Sequence, residues 1–214
     1  MNDNLSFDHY LDLNIDYSKV VNSTLDIKDD AILFIELNNV EKLDKLILEA
    51  LKKGAKFVLT SSNSTIEKEN VYRYKNYDEV FNDLLKKISP NFKSKHYFGI
   101  TGTNAKTTTG YLLKQLIGST AAFVGTVDED DYFNFTKEEH LTTPKLFNLV
   151  KLISNFEDEI NSIILEVSSH AIKQNRLRDL NFVISGFTNL SQDHLDYHIN
   201  MDDYLMTKSK LFNE

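Results

Sequence analysis

One nine-residue segment has the residue types of a phosphate-binding loop. Residues 99–107 read Gly-Ile-Thr-Gly-Thr-Asn-Ala-Lys-Thr, between an apolar run and a stretch with helical spacing. Against the pattern G-x-x-x-x-G-K-[ST], Lys106 and Thr107 fit, but Ala105 replaces the second glycine and Gly99 precedes the place of the first. Backbone N–H groups at a helix start hold phosphate oxygens, and a lysine adds positive charge there. The segment predicts a nucleotide site, and a threonine-rich helix start without a ligand is the alternative.

Whether the alanine at position 105 matters depends on its backbone conformation. If the loop requires a positive φ at Ala105, the left-handed region costs an alanine about 1–2 kcal/mol. If φ is helical, the methyl group costs little unless it crowds a phosphate.

Polar residues follow two further apolar runs downstream. Glu166 ends the run 162–166, where a carboxylate faces the phosphate loop across a parallel sheet and can hold Mg²⁺. A glutamate at the edge of the core, paired with a lysine, is the alternative. Arg176 is a candidate contact for a carboxylate or a phosphate. A solvated surface arginine is the alternative. His194 is a candidate contact for a metal or a phosphate, or a structural histidine.

The elements that must position these residues alternate between strand and helix. We predict strands at 96–100, 121–126, 162–167 and 182–187, and helices at 106–117, 144–156 and 201–212. Gly118 ends the first of these helices, and Thr143 caps the second, with Pro144 at its first position. The alternation predicts a mostly parallel, doubly wound sheet, in which ligands bind beyond the carboxyl ends of the strands.

The first 90 residues predict a smaller α/β unit. Its predicted strands are 31–35 and 56–60, and its predicted helices are 40–53, which ends at Gly54, and 80–88. Residues 89–95 have no hydrophobic period and contain one of only two prolines. We therefore place a domain boundary there and predict two domains, residues 1–90 and residues 91–214.

Composition excludes several classes of protein. Of the 214 residues, 41% are hydrophobic and 26% charged, which is a globular profile, and no cysteine is present to form a disulfide or a thiolate metal site. The net charge is −8 and neither half is basic, which argues against a nucleic-acid partner. The acidic N-terminus is unlike a signal peptide, and no apolar run reaches the ~20 residues of a membrane span. We expect a cytoplasmic protein without membrane insertion.

Four motifs, taken in order, resemble the Mur ligases, and the MurE type in particular, which adds the third residue to the muramoyl peptide. The motifs are residues 99–109, Leu-Thr-Thr-Pro at 141–144, Leu-Glu-Val-Ser-Ser-His at 165–170 and Phe-Thr-Asn-Leu-Ser-Gln-Asp-His-Leu-Asp-Tyr-His at 187–198. Only Ala105 departs from the family's Gly-Thr-Asn-Gly-Lys-Thr loop, and Ala171 replaces the glycine after Ser-Ser-His. The resemblance covers residues 97–214, whereas residues 1–90 are weakly similar to the family's UDP-binding domain.

The resemblance implies a role for each matching residue. ATP would be held by the loop and helix start, namely Gly102, Thr103, Asn104, Ala105, Lys106, Thr107 and Thr108. Mg²⁺ would be held by Thr107 and Glu166, with His194 near a second ion. The UDP-muramoyl-dipeptide would be held by Thr142, Thr143, Ser168, Gln174 and Arg176. Ser23 would lie on the uridine side, although the Asp and Arg of the family's Asp-Ser-Arg motif are missing. Lys208 falls where the family carries a carbamylated lysine.

The implied activity is ATP-dependent amide formation in peptidoglycan synthesis, with Lys106, Glu166, His194 and Lys208 as the catalytic set. The D-Glu carboxylate of UDP-MurNAc-L-Ala-D-Glu would form an acyl phosphate, which a diamino acid, meso-diaminopimelate by expectation, would displace. The family has three domains. We therefore expect this chain to be an inactive fragment that lacks part of the central domain and all of the amino-acid-binding domain. The alternatives are another ligase of the superfamily, such as one similar to folylpolyglutamate synthase, and a non-catalytic nucleotide- or UDP-sugar-binding module.

Overall fold

The computed structural model describes residues 15–126, 141–178 and 180–212. The chain divides into two compact units, Met1–Pro90 and Asn91–Glu214. Each unit contains a four-stranded sheet in which every neighbouring pair of strands is parallel. Helices connect several of these strands, so the predicted α/β class with parallel sheets is confirmed.

The first unit has the strand order β1-β2-β3-β4. Its elements are β1 (Val20–Val21), β2 (Ile32–Ile35), α1 (Val40–Lys52), β3 (Phe57–Ser61), β4 (Val71–Tyr74) and α2 (Tyr77–Ile88), after a 3₁₀ turn at Tyr17–Lys19. Helix α1 begins where the Asn39 side chain accepts a hydrogen bond from the Lys42 amide, and Gly54 follows its end with φ +90. Its buried face, Leu43 and Ile47 among others, packs in one cluster with residues of β2 and β3.

Two strands of the first unit lie outside the predicted elements. Strand β1 is only two residues long, and β4 has a mixed sequence, Val-Tyr-Arg-Tyr, that pairs with β3 along its whole length. Helix α2 begins at Tyr77 rather than at residue 80, because the Asn76 side chain caps it by accepting from the Glu79 amide. Capping and strand pairing, rather than periodicity, define these bounds.

The second unit has the strand order β6-β7-β5-β8. Its elements are β5 (His96–Thr101), α3 (Lys106–Ile117), β6 (Ala121–Val124), α4 (Leu146–Ile153), β7 (Ser162–Glu166), α5 (Ser169–Lys173), β8 (Phe182–Phe187) and α6 (Met201–Ser209), with 3₁₀ turns at Phe92–Ser94 and Lys210–Phe212. Ile100, Phe123 and Ile164 form part of a buried cluster on which Tyr111 and Leu113 of α3 pack. Helix α3 and strand β8 have the predicted bounds.

Several predictions for the second unit are wrong: β6 ends at Val124 rather than at 126, α4 ends at Ile153 rather than at 156, and α6 ends at Ser209 rather than at 212. Helix α4 begins at Leu146, not at Pro144, and Thr143 does not cap it. The Thr143 hydroxyl donates instead to the carbonyl of Glu166 at 2.7 Å, so it is committed to a tertiary contact. Residues 169–173, for which no helix is predicted, form the short helix α5, which the Ser168 side chain caps by accepting from the Ala171 amide.

Among the helices of the described residues, none is both long enough and apolar enough to cross a membrane.

Candidate functional site

The parallel register brings the carboxyl ends of the strands in the second unit to one edge. Ile100 on β5 pairs with Glu166 on β7, and Thr101 pairs with Phe187 on β8. The amide of Val167 donates to the Ile100 carbonyl at 2.8 Å, and the Thr101 hydroxyl donates to the Val167 carbonyl at 2.7 Å. The segments that leave β5, β7 and β8 therefore start side by side, and most of the predicted site residues lie in them.

The predicted phosphate loop connects β5 to the start of α3, with Lys106, Thr107 and Thr108 as the first helical residues. Ala105 precedes the helix in the left-handed conformation, with φ +66 and ψ +11. The loop therefore requires a positive φ where the alanine stands, and the strain is about 1–2 kcal/mol. Gly102 has φ +142, and a Cβ there would lie 1.9 Å from the Thr188 hydroxyl, so no side chain fits.

Residues 188–191, which follow β8, form hydrogen bonds along the loop. The Thr103 amide donates to the Asn189 carbonyl at 2.9 Å, and the Asn104 amide donates to Asn189 Oδ1 at 3.0 Å. The Ser191 amide donates to the Thr103 hydroxyl at 3.0 Å. We call residues 188–191 the clamp segment, because they fix the loop from one side.

Two lysines lie at the loop with different environments. Lys106 Nζ donates to the carbonyls of Gly102 at 3.2 Å and Thr103 at 3.0 Å. Lys208 of α6 is 1% exposed, and its Nζ donates to the Gly102 carbonyl at 2.9 Å and lies 4.4 Å from the centroid of the Tyr204 ring. Burial, and secondarily the charge of Lys106, lowers the pKa of Lys208 to about 8. This amine therefore loses its proton far more readily than an exposed lysine.

Glu166, at the end of β7, presents a carboxylate that is almost fully buried at 1% exposure. Its Oε1 accepts from the Thr126 amide at 3.1 Å, and its Oε2 accepts from the Thr126 hydroxyl at 3.2 Å. A Cβ on Gly125 would lie 2.4 Å from Oε1, so this glycine leaves the space that the carboxylate occupies. The buried position of Glu166 is thus built by the loop that follows β6.

A second group of predicted residues surrounds Thr143. Its hydroxyl accepts from the Ser168 amide at 2.9 Å, and the Arg176 guanidinium donates to the Thr143 carbonyl at 3.0 Å. Arg176 Nε also donates to Gln174 Oε1 at 2.8 Å. The hydroxyls of Thr142 and Thr126 lie 3.2 Å apart, which connects this group to the Glu166 carboxylate.

His194 lies in a cluster of aromatic rings. It has φ +52, its Nε2 is 3.5 Å from Asp193, and its ring meets that of His170 edge-on with 4.9 Å between centroids. His170 stacks on Tyr197 at 3.9 Å. Burial, followed by the neighbouring His194, lowers the pKa of His170 and favours its neutral form.

His198, for which the sequence analysis predicts no role, is buried between two helices. Its Nε2 lies 2.9 Å from the Ser169 hydroxyl on α5, and its Nδ1 lies 3.2 Å from the Asp203 carboxylate on α6. Asp203 also pairs with Lys173 at 3.1 Å. His198 thus joins the helix that follows β7 to the helix that carries Lys208.

Ser23 belongs to the other unit and follows β1, where its hydroxyl accepts from the Leu25 amide at 3.3 Å. Sequence reasoning missed Thr126, Asn189 and Tyr204. Tyr204 is four residues before Lys208 on one helix face, and this spacing is the signal that points to it. Its hydroxyl lies 3.3 Å from the Thr103 hydroxyl.

The arrangement is suited to anion binding and phosphoryl chemistry. A helix start, a glycine-containing loop and a lysine lie at the carboxyl edge of a parallel sheet, where such sheets bind ligands. A buried carboxylate lies on the neighbouring strand. Fold and site together define a P-loop-containing α/β protein.

Comparison with known proteins specifies the family. The Mur ligase middle domain matches residues 100–214. The "UDP-N-acetylmuramoyl-L-alanyl-D-glutamate--2,6-diaminopimelate ligase" of Wigglesworthia glossinidia brevipalpis is 33% identical over 222 residues, which cover 94% of this chain and 44% of that protein. The protein of the same name from Fusobacterium nucleatum is 32% identical over 214 residues, which cover 94% and 42%. The chain belongs to the Mur ligase family.

Solved structures give the same result for the fold. A structure of a UDP-N-acetylmuramoyl-L-alanyl-D-glutamate--2,6-diaminopimelate ligase matches with a TM-score of 0.67 and 25% identity, over 97% of this chain and 45% of that one. MurF from Thermotoga maritima, in complex with ADP, matches with a TM-score of 0.58 and 16% identity, over 92% and 44%. The chain therefore spans less than half the length of these relatives.

Proposed function

We propose that this chain provides the ATP-binding and UDP-substrate-binding parts of a peptidoglycan ligase. The reaction is the ATP-dependent addition of a diamino acid, meso-diaminopimelate, to UDP-MurNAc-L-Ala-D-Glu. Membership of the Mur ligase family supports this proposal, as do the names of its relatives. The observation that carries it is the loop 102–106, with the buried Glu166 carboxylate on the adjacent strand and the buried Lys208 amine hydrogen-bonded to the loop.

In this proposal the phosphates of ATP lie against residues 102–108. The backbone amides and the start of α3 provide partial positive charge, and Lys106 provides a full one. Lys106 Nζ already lies within hydrogen-bond distance of two loop carbonyls, so it is held close to the position that a phosphate would take. Its charge would be worth most in the transition state, when negative charge spreads over the transferring group.

The residues present fit Mg²⁺. Within the described part of the chain, no three His, Asp or Glu side chains are arranged to hold a metal alone. Mg²⁺ does not require such a cage, because it is usually bound by one or two carboxylates, with phosphates and waters completing the shell. Thr107 and Glu166 would be its contacts, with His194 near a second ion, and the space beside Gly125 already accommodates the carboxylate. When bound, Mg²⁺ supplies neutralising charge at the phosphates.

The environment of Lys208 is suited to the carbamylation that its counterpart in the family carries. A neutral amine adds to CO₂, forming an N–C bond and releasing a proton, and a pKa near 8 gives Lys208 a neutral fraction at physiological pH. The carbamate would replace one of two neighbouring positive charges with a negative one. It would then orient the metal beside Lys106, rather than act as a base.

The muramoyl-dipeptide would lie against Thr142, Thr143, Ser168, Gln174 and Arg176. Ser23, in the first unit, stays a prediction for a uridine contact. The D-Glu carboxylate attacks the γ-phosphate, ADP leaves, and the amine of the diamino acid then displaces phosphate from the acyl phosphate. Arg176 carries a charge suited to the substrate's carboxylate, and its bonds to Gln174 and Thr143 already fix its orientation. Positioning therefore contributes much of the catalysis.

The direct test is the affinity of this chain for MgATP and for UDP-MurNAc-L-Ala-D-Glu, measured by calorimetry. Lys106→Ala should weaken MgATP binding by about tenfold or more, the size of one charge-assisted contact. Lys114→Ala, near the far end of the same helix, is the matched control and should bind like the wild type. A wild-type chain that binds neither ligand would contradict the proposal.

A further inference from the structure

Ala105 occupies a conformation that alanine avoids. It is exposed, it has φ +66, and its methyl side chain has no polar atom with which to cap the helix that follows. A non-glycine residue stays in this region only when the surrounding structure leaves it no alternative. Some other part of the chain must therefore hold the loop.

The Asn189 side chain is placed to do this. Its Oδ1 accepts from the Asn104 amide at 3.0 Å, and its Nδ2 donates to the Asn104 carbonyl at 3.2 Å. One carboxamide therefore pairs with both polar backbone groups of the residue before Ala105. The Asn104 carbonyl belongs to the peptide that joins Asn104 to Ala105, so its orientation is linked to the φ of Ala105.

Thr188 reinforces the same peptide. Its hydroxyl donates to the Asn104 carbonyl at 2.7 Å, and its amide donates to the Thr101 carbonyl at 3.0 Å. The Asn104 carbonyl thus has two side-chain donors, both from the clamp segment. Gly102 makes this approach possible, because a Cβ there would collide with the Thr188 hydroxyl.

We propose that Asn189, supported by Thr188, is a positioning residue that holds Ala105 in the left-handed conformation and so keeps the loop shaped for phosphate. A glycine at position 105 would not need this restraint, because glycine populates positive φ freely. The role of Asn189 is therefore tied to the alanine in this chain. The part that concerns phosphate rests on the proposed function, whereas the part that concerns backbone conformation does not.

A double-mutant cycle tests this coupling. MgADP affinity is measured for the wild type, Asn189→Ala, Ala105→Gly and the double variant. With alanine at 105, Asn189→Ala should weaken MgADP binding by about tenfold. Without the Asn189 side chain, Ala105 leaves the left-handed conformation, and the free energy needed to return it to that conformation is subtracted from the binding free energy. With glycine at 105, the same change should cost less than about threefold. Equal losses in both backgrounds would overturn the proposal.

The control variant is Asp30→Gly, which relieves left-handed backbone strain at a position outside the loop. Asp30 has φ +62 and lies in the other unit. Asp30→Gly should leave the effect of Asn189→Ala unchanged. A coupling as large as that of Ala105→Gly would show that the effect is not specific to the loop, and would contradict the proposal.

A second readout needs no nucleotide. In protein labelled with ¹³C-alanine, the Ala105 signals are assigned by their loss in Ala105→Gly, and the Cα and Cβ shifts report the backbone conformation. They should have left-handed values in the wild type and move toward right-handed values in Asn189→Ala. Thr188→Val provides a second variant should Asn189→Ala fail to fold. Unchanged shifts in a folded variant would refute the proposal, whereas left-handed shifts without MgADP binding would refute only the proposed function.

Discussion

At the scale of single residues, Lys208 is the most unusual group of the second unit. A long cationic side chain is buried against a backbone carbonyl and an aromatic ring, with a second lysine as its electrostatic neighbour. Burial disfavours the charged form, and the carbonyl and the ring only partly compensate. A protein retains such a group at a cost to stability, which is typical of a functional residue.

The unfavourable burial of Lys208 predicts a measurable dependence of stability on pH. Its pKa is about 8 in the folded protein against 10.5 in an exposed lysine, so between these values the unfolded state binds more protons. The free energy of unfolding contributed by this group should therefore rise as the pH increases from 8 toward 10. Urea denaturation of the wild type and Lys208→Met, in CO₂-free buffer, measures it. Between pH 8 and 10, the free energy of unfolding of the wild type should rise relative to that of Lys208→Met. Two pH profiles that run parallel would contradict the lowered pKa of Lys208.

Ala105 gives a second prediction at this scale. Ala105→Gly relieves about 1–2 kcal/mol of left-handed strain but increases the entropy of the unfolded chain, which offsets about 0.4–1 kcal/mol. We expect the second unit to become more stable by roughly 0.5–1 kcal/mol in thermal or urea unfolding. Because the loop already has the required shape, MgADP affinity should stay within about tenfold of the wild type. A loss of stability would mean that the alanine is not strained.

At the scale of elements, the packing of α3 against β6 depends on Gly110. A Cβ at this position would lie 2.2 Å from the Phe123 ring. Gly110→Ala gains about 1 kcal/mol of helix propensity, but overpacking costs about 1–3 kcal/mol, so a net destabilisation is expected. Urea denaturation measures it, with Gln115→Ala on the exposed side of the same helix as the control. In a Phe123→Leu background, Gly110→Ala should destabilise the protein less. An equal loss of stability in that background would rule out the collision with the Phe123 ring as the cause.

The elements also show what local sequence can and cannot predict. Helix α3 matches its prediction because Gly118 supplies a sharp end and the loop supplies a sharp start. The start of α4 does not match, since the Thr143 hydroxyl bonds to Glu166 and Ser168 rather than to the helix. Helix α5, with five residues, is too short to show a period. The start of α4 is thus lost to a contact distant in sequence, whereas α5 is missed because a helix of one turn leaves too little local pattern.

The same distinction applies to the candidate site. Lys106 and Glu166 were identified from the sequence because a loop pattern and a strand end mark them. Asn189 was not, because its importance comes from hydrogen bonds to a residue 85 positions away. Sequence patterns therefore mark the groups that are proposed to contact a ligand more readily than the groups that hold them in place.

At the scale of the whole molecule, each unit has its own parallel sheet and its own buried cluster. The junction lies between Pro90 and Asn91, and Phe92 belongs to the second unit, where it is fully buried and its carbonyl accepts from the Tyr97 hydroxyl at 2.6 Å. The phosphate loop, the clamp segment, Glu166 and Lys208 all lie in the second unit. This division implies that the proposed nucleotide site takes its shape from the second unit.

The implication predicts that residues 91–214, produced alone, fold and bind MgADP within about threefold of the affinity of the whole chain. Each unit carries a core of its own, which is the physical requirement for independent folding. Circular dichroism and thermal unfolding test folding, and calorimetry tests binding. In the whole chain, Leu33→Ala should lower the stability of the first unit and leave MgADP affinity unchanged, whereas Ile164→Ala should destabilise the second unit. A fragment that unfolds, or that folds and loses MgADP affinity while the whole chain keeps it, would show that the first unit shapes the site.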